Sequence, residues 1–128
     1  MRYATFTQLQ KGGHITTISV IIPVLHEQER INGLLGHLKS QGETVPEIIV
    51  VDGCPEGSTL SVISMPEVIC LTAPTGRGNQ IAAGAAVAGG SVILMLHADT
   101  LLPDNAFNSI RTAIDQGADW GAFRLGID

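Results

Sequence analysis

The chain has 128 residues, 45% of them hydrophobic and 15% charged, with a formal net charge of −5. That length suffices for one α/β domain with a real core and is too short for two, and the apolar share is that of a folded chain rather than a disordered one. Its 7 basic residues are spread thinly, which excludes the clustered positive footprint of a nucleic-acid surface. A phosphate-bearing ligand would take its positive field from a metal ion or from helix amino termini.

Cys54 and Cys70 stand far apart without a second pair, so no zinc framework is visible and both read as idle thiols. The first apolar run, Ile18 to Leu25, is short and interrupted by Pro23. It predicts a strand rather than a membrane span or a signal peptide, and the expected location is the cytoplasm.

Residues 1–17 are polar, include Gly12-Gly13 and hold no sustained period; a mobile tail or an added edge piece is expected there. Ile18-Ser19-Val20-Ile21-Ile22-Pro23 then predicts a strand buried on both faces of a parallel sheet. Ile31, Leu34, Leu35 and Leu38 fall at helical spacing and predict a helix from about Glu27 to Ser40. A second strand, Glu47 to Val51, runs into Asp52-Gly53, and a short helix is expected after Gly57-Ser58. The third strand, Val68 to Leu71, is weaker. An alanine-rich helix follows from Arg77 to Ala88, with Thr75 as cap and Gly89-Gly90 as stop. Ser91 to Leu96 predicts a fourth strand ending in His97-Ala98-Asp99, Pro103-Asp104 opens a last helix carrying Phe107, Ile110 and Ile114, and a fifth strand is expected around Gly121 to Ile127, cut off at Asp128. Strand alternating with helix is the grammar of right-handed parallel crossovers, so residues 18–128 predict a mostly parallel, doubly wound α/β sheet.

In such sheets ligands sit beyond the carboxyl ends of the strands, near the reversal of strand order. Those ends here carry Glu27, Asp52, Arg77 and Asp99 in turn. A single acid there would mean little, because turns favour Asp and first helical turns favour Glu. Three acids and an arginine on one rim point to a shared site. The alternatives remain open residue by residue: Glu27 as a helix-dipole partner, Asp52 as a turn former, Arg77 as a solvated side chain. His14 and His37 read as ordinary surface residues.

The order of segments narrows this. Residues 18–27 (ISVIIPVLHE), 48–59 (IIVVDGCPEGST), 75–84 (TGRGNQIAAG), 93–100 (ILMLHADT) and 121–125 (GAFRL) together resemble the opening of family 2 glycosyltransferases, which have the GT-A fold. The resemblance implies that Pro23 and Val24 line a base pocket through backbone groups and that Glu27 accepts a hydrogen bond from a ribose. It implies a base-edge contact for Asp52, and places Arg77 and Gly78 near the nucleotide. It assigns Asp99 as the remaining carboxylate of an Asp-x-Asp motif holding Mg²⁺ or Mn²⁺ against the diphosphate. His97 stands where the family often has the first Asp, and is a second candidate ligand; His26 replaces a common Asn. His-Ala-Asp with the Asp-Gly turn and the Ala-Phe-Arg-Leu strand resembles a bacterial branch of the family.

The implied reaction is transfer of a sugar from a nucleotide diphosphate sugar to an unknown hydroxyl acceptor, with these residues forming the donor-binding half. In the family the general base lies well downstream of the metal motif, so no catalytic residue is expected in this chain, and Asp115 and Asp119 do not occupy its place. A sugar-phosphate nucleotidyltransferase would need a Gly-rich basic loop after strand one, where Val24-Leu25-His26-Glu27 stands instead. A dinucleotide-binding oxidoreductase would need a small residue in place of Ile81 and its loop after the first strand. A non-catalytic nucleotide-binding or assembly module stays in view, since an incomplete sheet would leave an open strand edge and favour a homo-oligomer.

Overall fold

The computed structural model describes residues 3–9, 15–41, 47–124 and 126–127. In chain order the elements are β1 (Tyr3–Gln8), β2 (Ile18–Val24), α1 (Ile31–Ser40), β3 (Glu47–Asp52), a 3-10 turn at Leu60–Val62, β4 (Ile69–Thr72), α2 (Arg77–Val87), β5 (Val92–Met95), β6 (Thr100–Leu101), α3 (Ala106–Asp115), β7 (Trp120–Arg124) and β8 (Gly126–Ile127). The main sheet is ordered β4-β3-β2-β5-β1-β7, and β6 pairs with β8 in a separate ribbon. β4, β3, β2 and β5 are parallel, whereas β1 runs antiparallel to both its neighbours. The chain steps from β2 to β3 to β4 in one direction and then places β5 on the other side of β2, so strand order reverses between β2 and β5.

Alternate residues of a strand point to opposite faces, and the apolar runs of β2, β3 and β5 therefore feed two cores. Val20, Ile22, Val50 and Leu94 face one side, where α1 buries Ile31, Leu34, Leu35 and Leu38 and α3 buries Ala106, Phe107 and Ile110. Ile21, Ile49, Val51 and Ile93 face the other, against the alanines of α2. Small residues in α2 are a packing requirement: a Cβ at Gly84 would lie 2.7 Å from Ile21 Cγ2. Helices on both faces make the sheet doubly wound, as the alternation predicts.

The far end of the sheet is stapled by polar groups. Ser19, fully buried, donates from Oγ to Glu47 Oε1 (2.8 Å) and accepts the Gly90 N–H (2.9 Å), while Gly89 N–H donates to the same Glu47 oxygen (2.8 Å). Gly89-Gly90 thus ends α2 by close approach: a Cβ on Gly90 would meet Ser19 Oγ at 2.7 Å and the Ser19 backbone nitrogen at 2.8 Å.

Several expectations need correction. The polar start is neither tail nor edge over residues 3–8, since β1 lies inside the sheet between β5 and β7. Ala4 and Phe6 enter the core, Phe6 lies over Gly121 of β7, and its ring meets that of Phe123 at 5.9 Å between centroids. Gly12-Gly13 and His14 lie outside the described residues. Regular helix starts at Ile31 rather than Glu27, although Ile31 N–H already bonds Glu27 C=O (3.0 Å). Thr75 caps nothing, because Gly76 holds the N-cap position and Thr75 Oγ1 donates to Gly53 C=O (2.6 Å). The fifth predicted strand is divided: residues 120–124 join the main sheet, 126–127 pair with β6, and Leu125 and Asp128 lie outside the described residues. His37 is half-buried, and its Nε2 lies 3.2 Å from Leu102 C=O.

Candidate functional site

The loops after β2, β3, β4 and β5 leave the same edge of the parallel strands, beside the reversal of strand order. Pro23 is partly exposed and Val24 buried at the end of β2. Val24 C=O accepts two hydrogen bonds, from Gly53 N–H (2.9 Å) and from Gln80 Nε2 (2.9 Å). Both lone pairs of this carbonyl are engaged within the fold. The chain then turns sharply through His26, whose φ of 55° is left-handed, a region that His tolerates better than most residues. His26 Nδ1 stands 3.4 Å from Ser58 Oγ. Glu27 N–H donates to Thr59 Oγ1 (3.0 Å), and its carboxylate lies 3.7 Å from the exposed Arg30 guanidinium, a pair that solvent screens strongly. Residues 26–30 line a cleft of about 370 Å³.

Asp52 is fully buried. Its Oδ1 accepts the Cys54 N–H (2.9 Å), and its Oδ2 accepts those of Thr59 (3.0 Å) and Leu60 (3.3 Å). The carboxylate therefore folds the loop after β3 around itself and is closed to direct contact with a base edge; the turn-forming alternative describes it better. Thr59 carries the effect onward, since its backbone is held by Asp52 while its hydroxyl holds Glu27. In the same loop the Cys54 thiol donates to Glu56 Oε2 (3.2 Å). That hydrogen bond, then the Glu56 backbone N–H and the charge of His26, hold the Glu56 carboxyl below its ordinary value.

Arg77 and Gly78 are exposed at the start of α2, where free N–H groups and the helix dipole favour an anion. The loop before them is tied inward by Gln80, a residue that sequence reasoning missed. Gln80 is 4% exposed; its amide reaches Val24 C=O, Val51 C=O (2.8 Å) and the Gly76 N–H (3.2 Å). The available signal was a polar side chain one turn before Gly84, on the face of an alanine-rich helix that meets the sheet.

β5 ends beside β2, with Leu96 N–H bonded to Ile21 C=O (3.0 Å). His97 to Thr100 form a turn closed on His97 C=O by the Thr100 N–H (3.3 Å) and hydroxyl (2.8 Å). His97 and Asp99, both half-buried, sit two residues apart on this turn, and β6 with its partner β8 follows directly. Among the described residues no group of three or more His, Cys, Asp or Glu side chains is arranged to hold a metal ion. The Asp99 carboxylate is the hard oxygen donor that Mg²⁺ or Mn²⁺ takes when phosphates and waters complete the shell, whereas the His97 imidazole is a ligand that softer metals favour.

A mostly parallel open sheet covered on both faces, with polar loops gathered at the carboxyl edge near the order reversal, defines an α/β protein of the GT-A class. Residues 19–124 match Glycosyl transferase family 2, and the chain belongs to that family. The crystal structure of S. aureus TarS 1-349 superposes with a TM-score of 0.65 at 23% identity, over 78% of this chain and 32% of that one. A second TarS structure, in complex with UDP-GlcNAc, gives the same score over 78% and 31%. Glucosyl-3-phosphoglycerate synthase from Mycobacterium tuberculosis, crystallised with Mn²⁺, uridine diphosphate and phosphoglyceric acid, gives 0.60 at 19% identity over 73% and 37%. At such identity the likeness establishes the fold. The chain spans only about a third of the length of these proteins (32% and 37%). No curated protein matches it, and no helix among the described residues is long and apolar enough to cross a membrane.

Proposed function

We propose that this chain binds the donor of a glycosyltransferase: a nucleotide diphosphate sugar whose sugar passes to a hydroxyl acceptor. The observation that carries the reading is that Glu27, Arg77, Gly78 and Asp99 each follow a parallel strand at the one edge of the sheet where strand order reverses, with Asp52 and Thr59 tying the loop after β3 to the loop that carries Glu27. In the transfer, a bond forms between the acceptor oxygen and the anomeric carbon as the bond from that carbon to the diphosphate breaks. Arg77 and the amino end of α2 would face the diphosphate, and Glu27 the ribose. Asp99, with His97 beside it, would hold Mg²⁺ or Mn²⁺, which supplies Lewis-acid stabilisation of the departing nucleoside diphosphate. Structures of the same fold were crystallised with UDP and Mn²⁺ or Mg²⁺, and that supports the choice of ions. The residue that takes the acceptor's proton is assigned to none of those described. The His97-Ala98-Asp99 variant and its kinship with a bacterial branch of the family belong to this proposal, as does a cytoplasmic setting, in keeping with two free cysteines.

Titration of UDP-, GDP- and TDP-sugars with and without Mn²⁺ tests it. One nucleotide class should bind in a metal-dependent way, and Asp99→Ala should weaken that binding about tenfold or more, the cost of one charged ligand. Binding that is absent, or indifferent to both metal and Asp99, would sink the proposal. Self-association is a further part of it: β4 ends one side of the described sheet with Cys70 and Thr72 exposed, and open edges recruit a second chain. Light scattering should give the mass of a dimer or larger assembly, and a clean monomer at high concentration would count against it.

A further inference from the structure

Resting on that donor-site reading, we infer that Gln80 is a positioning residue that sets the spacing of three loops around the nucleotide crevice. Its side chain is 4% exposed and its hydrogen bonds all go to backbone groups, so it acts through the backbone. One N–H of the amide is directed at Val24 C=O at the end of β2 (2.9 Å) and the other at Val51 C=O at the end of β3 (2.8 Å). The amide oxygen accepts the N–H of Gly76, the residue before Arg77 (3.2 Å). Gly53 lies flat against this amide, since a Cβ there would come 2.9 Å from Gln80 Oε1. Gly53 N–H returns to Val24 C=O (2.9 Å) and Gly53 C=O accepts the Thr75 hydroxyl (2.6 Å). The loops that carry Glu27, Asp52 and Arg77 are thereby closed into one hydrogen-bonded ring with Gln80 at its hub.

Only an amide meets these demands together. The site needs two donors for two strand-end carbonyls and one acceptor for a helix-start N–H, in a volume bounded by Gly53. A leucine would fill the volume and leave all three backbone groups unpaired. A carboxylate would keep the acceptor and turn an oxygen toward two carbonyls. Buried polar networks that are fully paired define one arrangement of their parts, and the arrangement defined here is the relative position of Glu27 and Arg77.

The test compares the whole chain with Gln80→Leu and Gln80→Glu, titrating UDP in Mn²⁺. Gln80→Leu should bind about tenfold more weakly, as expected for loss of buried hydrogen bonds that align the site. In Gln80→Glu, burial against two carbonyl oxygens raises the pKa of the introduced carboxyl. Its O–H returns as one donor of the two that Gln80 supplies when it is protonated, so the affinity deficit relative to the wild type should shrink in part, without vanishing, as pH falls from about 8 to about 5.5. If Gln80 merely filled space, Gln80→Leu would bind UDP as the wild type does. Either substitution binding UDP as the wild type does, or a flat ratio across pH, overturns the inference. If the wild type binds none of UDP, GDP and TDP, the donor-site reading falls, and hydrogen exchange of the Gly53 and Gly76 amides decides the clamp. Exchange about tenfold faster in the variants upholds it, and unchanged exchange overturns it.

Discussion

Asp52 and Glu27 both end a strand with an acid, yet the fold uses them in opposite ways. Asp52 is surrounded by three backbone N–H donors and excluded from water, while Glu27 stays 26% exposed by its side chain at the mouth of the cleft. Asp52→Ala would strand the donors of Cys54, Thr59 and Leu60, with an expected loss of about 3 kcal/mol or more of stability, read from denaturant unfolding. Asp52→Asn retains part of the network, and where it folds, its UDP affinity should stay within about threefold of the wild type, less than a lost direct charged contact. A larger drop in a fully folded Asp52→Asn would restore the base-contact role. The strand-end positions of Glu27, Asp52, Arg77 and Asp99 were legible because each follows within a few residues of an apolar run. The roles of Asp52, Val24, Thr75 and Gln80 were not, because sequence does not reveal which backbone groups at a strand end lack a ladder partner.

At the scale of elements, the strands read most plainly were β2, β3 and β5, whose residues are apolar on both faces. β4 and the helices fell within a few residues of their predicted bounds. β1 escaped notice although Ala4 and Phe6 alternate with Thr5 and Thr7, because a period of two over so few residues competes with turn-like polar neighbours. The join between α2 and β5 depends on glycine more than on helix-stop chemistry. Gly90→Ala would press a methyl onto the Ser19 backbone nitrogen, 2.8 Å away, as well as onto its hydroxyl. Backbone cannot rotate aside as a side chain can, so a loss of about 1–3 kcal/mol is expected, with a lower melting temperature measured calorimetrically. A melting temperature equal to the wild type's would show that this end of the sheet relaxes freely.

For the molecule as a whole, the fold class followed from the alternation of strand and helix, while the sheet's full width did not. A chain lacking residues 1–9 should lose cooperative unfolding or aggregate, because β5 and β7 would both lose a neighbour and Phe6 would leave the core. Phe6→Ala alone should cost about 3–5 kcal/mol, a large share of the ~5–15 kcal/mol that holds a domain of this size. Retention of the wild-type melting curve by either variant would show that the strand is dispensable.

The placement of β1 also bears on the order in which the protein can be made. Its residues emerge from the ribosome before every strand they pair with: Thr5 must wait for Met95 and for Ala122. Until then the nascent polypeptide holds β1 without either of the strands it pairs with, and chaperone demand should peak in that interval, when distant contacts are still missing.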